Sequence, residues 1–115
     1  MFSDKTKEYF LSESKQKFEK TLDYKNEKVK AFDFGEVLFK KAGESIYAFK
    51  NKCPHQGSKF EGCEIKEGNV VCPWHKYKFD LKTGRGHGLH LETYELKETE
   101  KGFCLFRTYF SWFGE

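Results

Sequence analysis

From Lys28 onward the chain alternates apolar and polar positions, and glycine interrupts the alternation at short intervals. A period of two punctuated by turn residues predicts half-buried β-strands. Val29, Ala31 and Phe32-Asp33-Phe34 make the first predicted strand, which Gly35 breaks. Glu36-Val37-Leu38-Phe39 makes the second, and Ala42-Gly43-Glu44 turns into a third, Ser45-Ile46-Tyr47-Ala48-Phe49. Spacing this close predicts a meander of antiparallel strands. Further on, Ile65-Lys66 and Asn69-Val70-Val71 flank Glu67-Gly68, a hairpin-turn signal. Tyr77-Lys78-Phe79 returns as a strand, and Lys82-Thr83-Gly84 turns again. Residues 89–96 and 103–110 also alternate and predict a closing pair around residues 98–102. Before Lys28 the pattern is weaker. Glu8-Tyr9-Phe10-Leu11 opens as a strand. Residues 13–22, with Phe18 and Leu22 four apart, predict one short helical turn or a loop. The apolar run Phe110-Ser111-Trp112-Phe113 is expected to pack back on the core, with a partner-docking patch as the alternative. Without repeats or linkers, these elements predict one all-β domain over residues 1–115.

Composition adds a core and a compartment. Thirteen Phe, six Tyr and two Trp in 115 residues are ample for one aromatic-rich interior. No run of eighteen apolar residues exists, so no membrane span is expected. Met1-Phe2-Ser3-Asp4-Lys5 lacks the apolar core of a signal peptide. The four cysteines are too few for a secreted disulfide scaffold, and Cys63 and Cys104 are expected to be free thiols in a reducing cytoplasm. Net charge is +3 and uneven. Residues 50–86 hold eight Lys/Arg against four Asp/Glu, whereas residues 87–115 hold three against five. Lys50, Lys52, Lys59, Lys76 and Lys78 are expected either to be plain solvated surface or to dock an acidic partner. A pI of 8.6 without a basic stripe makes nucleic acid a poor fit.

Two short strings carry the chemistry: Cys53-Pro54-His55-Gln56-Gly57 and Cys72-Pro73-Trp74-His75. Sixteen residues separate His55 from Cys72. A Cys-x-His loop and a Cys-x-x-His loop, a short hairpin apart, can present two thiolates and two imidazoles to one point. That set serves a structural zinc ion or a [2Fe–2S] cluster in which His₂ replaces Cys₂ on one iron. Zinc fingers place two Cys together and two His together. The order here is Cys, His, Cys, His, which favours the cluster. The mixed set has an electrostatic consequence. Two ferric ions, two sulfides and two cysteinates leave the oxidised site neutral, and one electron makes it singly negative. Four cysteinates would start it doubly negative. Neutral imidazoles therefore ease reduction, and such centres span about −150 to about +300 mV against about −400 mV for plant-type clusters.

The strings CPHQG and CPWHKYKFDLKTG, with a His-x-x-x-Phe-Asp-x-x-Thr-Gly run, closely resemble the two cluster-binding loops of the Rieske [2Fe–2S] family. The resemblance runs from about Ile46 to about Tyr94. It implies Cys53 and Cys72 on one iron, His55 and His75 on the other. Pro54, Gly57, Pro73, Trp74, Tyr77 and Phe79 would surround them, with Pro73 and Trp74 shielding one side. It also implies an antiparallel β-sandwich base with a small cluster-binding subdomain inserted at about residues 51–80. High-potential members carry an extra Cys in each loop, joined as a disulfide. Here those places hold Ser58 and Trp74. They also carry hydroxyls two and four residues after the second His, where this chain has Tyr77 and Phe79. Fewer donors to sulfur predict a low potential. Because metal binding is coupled to folding, residues 53–79 are expected to be loose without the cofactor.

The remaining motifs offer little competing chemistry. Gly84-Arg85-Gly86-His87-Gly88 is followed by no long helix, so it is not a dinucleotide fingerprint; a mobile loop is expected, with His87 and His90 on its surface and metal ligation by these two as the alternative. No flavin or nicotinamide motif is present, nor room for a mononuclear-iron domain. The expectation is therefore an electron-transfer protein rather than an enzyme. It would be a ferredoxin passing single electrons from a reductase to an oxygenase or other redox enzyme. The alternatives are a small Rieske-like subunit of a nitrite reductase or dioxygenase complex and, from another class, a structural zinc module.

Overall fold

The structure, a computed structural model, describes residues 2–55, 57–74 and 76–112, and the side chains of 6–55, 57–74 and 76–108. Its regular structure is almost wholly antiparallel strand, with one short helix among the described residues, as the alternation predicts. The chain forms two compact units, Met1–Thr21 with Tyr94–Glu115, and Leu22–Thr93.

In the first unit β1 (Phe2–Ser12) runs antiparallel to β11 (Gly102–Trp112), which also pairs with β10 (Thr93–Thr99). The register of β1 slips between Phe10 and Ser12, a bulge. Gly102 makes this possible. Its φ is +128, and a Cβ there would lie 2.5 Å from the Ser12 carbonyl oxygen. One short helix, α1 (Lys15–Glu19), follows β1. The Ser14 hydroxyl caps it by accepting from the Lys17 amide at 3.2 Å. Its one buried side chain, Phe18, packs on Phe103 with ring centroids 5.5 Å apart. The expected strand at residues 8–11 is thus longer, and the helical turn is real. The tail's backbone through Trp112 pairs with β1, while the packing expected of its side chains, and Phe113 itself, lie outside the described residues.

The second unit opens with the predicted meander: β2 (Glu27–Phe32), β3 (Gly35–Ala42) and β4 (Ser45–Lys50). One detail differs. Asp33-Phe34 is the turn, not strand, and Gly35 opens β3 rather than breaking β2. Phe34 folds back to stack on Phe32 at 5.2 Å, so its apolar side chain is used without being strand. A second antiparallel sheet contains β5 (Glu64–Lys66), β6 (Asn69–Val71) and β7 (Lys78–Asp80). β8 (Arg85–Gly86) and β9 (Leu89–His90) form a hairpin. The glycine-rich run is therefore an ordered hairpin instead of a simple loop. Its glycines let backbones touch. A Cβ on Gly84 would lie 1.9 Å from the Leu91 carbonyl oxygen, and one on Gly86 2.0 Å from that of Lys78.

The interior of this unit is aromatic. Phe60 meets Phe49 at 5.4 Å and Phe79 at 6.2 Å, both edge-on. Each ring is fully buried and contributes roughly 1.5–3 kcal/mol by leaving water. Leu38, Val70 and Leu91 close around them, and the thiols of Cys53, Cys63 and Cys72 belong to the same cluster. Two polar braces tie the segment between the ligand strings to the meander. Asn51, buried, accepts from the Phe60 amide at 2.8 Å and donates to Glu36 at 3.2 Å. Glu27, also buried, takes Lys40 Nζ at 2.9 Å and the Gly62 amide at 3.0 Å.

Candidate metal centre

Each cysteine string folds as a tight hook, and the two hooks share one bonding diagram. In the first, the Cys53 amide donates to the Ser58 carbonyl at 2.6 Å, and the Gly57 amide donates back to the Cys53 carbonyl at 2.7 Å. In the second, the Cys72 amide donates to the Tyr77 carbonyl at 2.8 Å, and the Lys76 amide donates back to the Cys72 carbonyl at 2.9 Å. The returning residue is left-handed in both: Gly57 at φ +76, Lys76 at φ +59. Glycine reaches that region freely, whereas lysine is strained there. The first hook follows β4, and the second follows β6 and leads into β7.

Cys53 and Cys72 are buried. His55 is half-buried with its Nδ1 inside. His75 lies outside the described residues. Among the described residues no three His, Cys, Asp or Glu side chains converge as they would on a single ion. A two-iron cluster asks for two side chains on each iron instead. Two buried thiols and an imidazole on paired hooks are soft, thiolate-rich donors of the kind iron–sulfur chemistry uses. The residues present fit that group.

The surrounding positions are mixed. Phe79 is fully buried in the aromatic core and offers no hydroxyl. Trp74, expected as a shield, is 70% exposed, and Pro73 is half-buried. Tyr77 lies flat against His55, with centroids 4.1 Å apart and planes 27° apart. Behind it stands His87, 4.5 Å from Tyr77. This three-ring stack is absent from the sequence reading, because residues 55, 77 and 87 meet only through tertiary structure. The sequence signal for His87 is slight: an imidazole in a turn that favours smaller residues. His87 and His90 are both exposed at the residue level, but among the described residues only His87 joins this stack.

Lys50, Lys52, His55, His90 and Glu92 edge a surface depression of about 500 Å³ beside the first hook. Of the other basic residues, Lys59 pairs with Glu36 at 3.3 Å, and Lys76 and Lys78 are exposed. Cys63 and Cys104 are free, buried thiols. Burial pushes the Cys63 thiol up to about 12, with nearby Lys40 opposing and Glu27 reinforcing. Burial likewise raises that of Cys104. Both are therefore neutral thiols near pH 7. No helix among the described residues is long and apolar enough to cross a membrane.

Comparison with known proteins agrees with this geometry. The family profile described as the Rieske [2Fe-2S] domain matches residues 13–97, more than half of the chain. Apoptosis-inducing factor 3 of Homo sapiens is 37% identical over 51 residues, covering 44% of this chain and 8% of that protein. The ferredoxin component of the 2,4-dinitrotoluene dioxygenase system of Burkholderia sp. (strain RASC) is 35% identical over 51 residues, covering 44% of this chain and 48% of its own length. The chain thus spans less than half the length of these relatives. Among solved structures, the ferredoxin of carbazole 1,9a-dioxygenase from Nocardioides aromaticivorans IC177 superposes with a TM-score of 0.62 at 23% identity, over 77% of this chain and 90% of the other. At that identity the likeness is one of fold.

Proposed function

The chain belongs to the Rieske [2Fe-2S] domain family, and from that premise we propose that it is a one-electron carrier whose cluster is held by Cys53 and Cys72 on one iron and by His55 and His75 on the other. Bound there, the cluster supplies one reversible electron step near neutral pH. The observation that carries this reading is the matched pair of hooks, each closed by the same two backbone bonds and each presenting a buried cysteine.

The chain's own residues account for the rest. Cys53 and Cys72, buried in the aromatic core cluster, would hold the cluster as thiolates where water is excluded. His55, only half-buried, offers an edge through which an electron can leave. Pro54 and Pro73 stiffen the hooks, and Gly57 supplies the left-handed turn of the first. Phe79 gives no hydrogen bond to sulfur, which favours a low potential. Trp74 projects beside the second hook, where a partner can cover it.

The named role of the dioxygenase-system relative supports a reductase as donor and an oxygenase or similar redox enzyme as acceptor. Exposed Lys52, Lys76 and Lys78 around the hooks suit an acidic docking face, so the transfer rate should fall as salt rises.

Anaerobic loading with iron and sulfide, followed by metal analysis and electron paramagnetic resonance, tests the proposal. Two irons and two sulfides per chain, with a rhombic signal after dithionite reduction, are expected. A colourless, silent protein that takes up one zinc would overturn it and favour a structural zinc module.

A further inference from the structure

The geometry points to His87 as a positioning residue that holds the His55 imidazole in place through Tyr77. This inference rests on His55 being a cluster ligand, as proposed above.

His87 sits at an unusual place for its side chain. With Gly88 it forms the two-residue loop of the β8–β9 hairpin, and both residues have positive φ, +53 and +74. A two-residue hairpin loop with both residues at φ > 0 has the signature of a type I′ turn, which favours Asn-Gly. The turn alone therefore does not explain a histidine. Its side-chain contacts do. Nε2 accepts a hydrogen bond from the Lys78 amide at 3.2 Å, which puts the ring proton on Nδ1 and fixes the imidazole against β7. One face then backs Tyr77 at 4.5 Å, with planes 34° apart. The ring meets Phe79 edge-on at 6.4 Å. Tyr77 in turn lies flat on His55. Gly86 lets the hairpin approach so closely, since any Cβ there would strike the Lys78 carbonyl oxygen.

Held from behind, Tyr77 cannot swing away from His55, and the ligand ring has one plane available to it. Ring orientation is a lever on a metal site's electronic structure. The role asked of His87 is therefore electronic as well as structural, and the two are separable.

Two substitutions separate them. His87→Asn gives the turn its preferred residue but removes the ring behind Tyr77. His87→Phe restores a ring without the acceptor and places a bulky residue at positive φ. In the cluster-loaded protein, His87→Asn should hold or gain thermal stability. It should also change the rhombic signal and shift the reduction equilibrium about threefold, ~28 mV at 59 mV per tenfold for one electron. His87→Phe should lose stability yet return signal and potential toward wild type. If wild type carries the cluster but His87→Asn matches it in signal and potential, the positioning role falls while the carrier reading stands. If wild type takes up no iron, both fall.

Discussion

Removing the Glu27 carboxylate should destabilise the protein far more than a surface change would. Glu27 is 4% exposed and faces Lys40, whose ammonium is 2.9 Å away and itself largely buried. In Glu27→Ala that ammonium loses its counter-charge but keeps the Lys25 carbonyl at 3.0 Å. Breaking a buried pair from one side costs about 3–5 kcal/mol, and the surviving carbonyl places the loss near the lower end, about 3 kcal/mol. Both carboxylate oxygens also hold the Gly62 amide. Gly62 is exposed, so water replaces that bond at small net cost. With a urea dependence of about 1–2 kcal/mol per molar, the unfolding midpoint should fall by about 1.5–3 M, read by far-ultraviolet circular dichroism. Converting both partners to methionine removes the stranded charge and should recover most of the loss. A single substitution costing under about 1 kcal/mol, or a double variant no more stable than the single, would refute this electrostatic account. Since the Gly62 tether lies between the two hooks, Glu27→Ala should also release cluster faster.

Three further expectations follow from local geometry. Lys76→Gly puts glycine where the first hook already has it. Relief of left-handed strain, about 1–2 kcal/mol, less the entropy glycine adds to the unfolded chain, about 0.5–1 kcal/mol, should raise stability by up to about 1.5 kcal/mol; a lower melting temperature would contradict it. The Asp80 carboxyl is held below its usual range by the Thr83 and Lys82 amides, which donate to it at 3.0 and 2.7 Å. A depressed folded value means the turn's added stability is complete above the ordinary carboxylate range and is lost as pH falls through that depressed value. Chemical shifts of those two amides should therefore titrate with a midpoint below about 3.9, and a midpoint at or above it would show the bonds to be unimportant. The Cys63 thiol, pushed up to about 12, should resist iodoacetamide at pH 8 in the folded chain and react only on unfolding; rapid labelling under native conditions would disprove its burial.

Much of this was legible in the sequence because it is local. The two cysteine strings, the Glu67-Gly68 hairpin and the meander all announce themselves within a few residues. The misreadings share a cause. Asp33-Phe34 looks like strand because Phe34 is apolar, yet it satisfies itself by stacking on Phe32. The run of residues 84–88 looks like a loose glycine tract, but its glycines are there for close backbone contact with Leu91 and Lys78. The left-handed Lys76 is invisible until its hook is compared with that of Gly57. Glu27 with Gly62, and His87 with Tyr77 and His55, are partnerships across ten or more positions, which no local pattern encodes.

The shared diagram of the hooks separates shape from address. Backbone bonds draw the same outline twice, while the imidazole leaves two steps after Cys53 but three steps after Cys72. A cassette carrying the second spelling in both places would keep both outlines and transpose only one donor atom. Such a frame tolerates reassignment of what it grips, because the chemistry is chosen by which rung carries the donor rather than by how the ladder is bent.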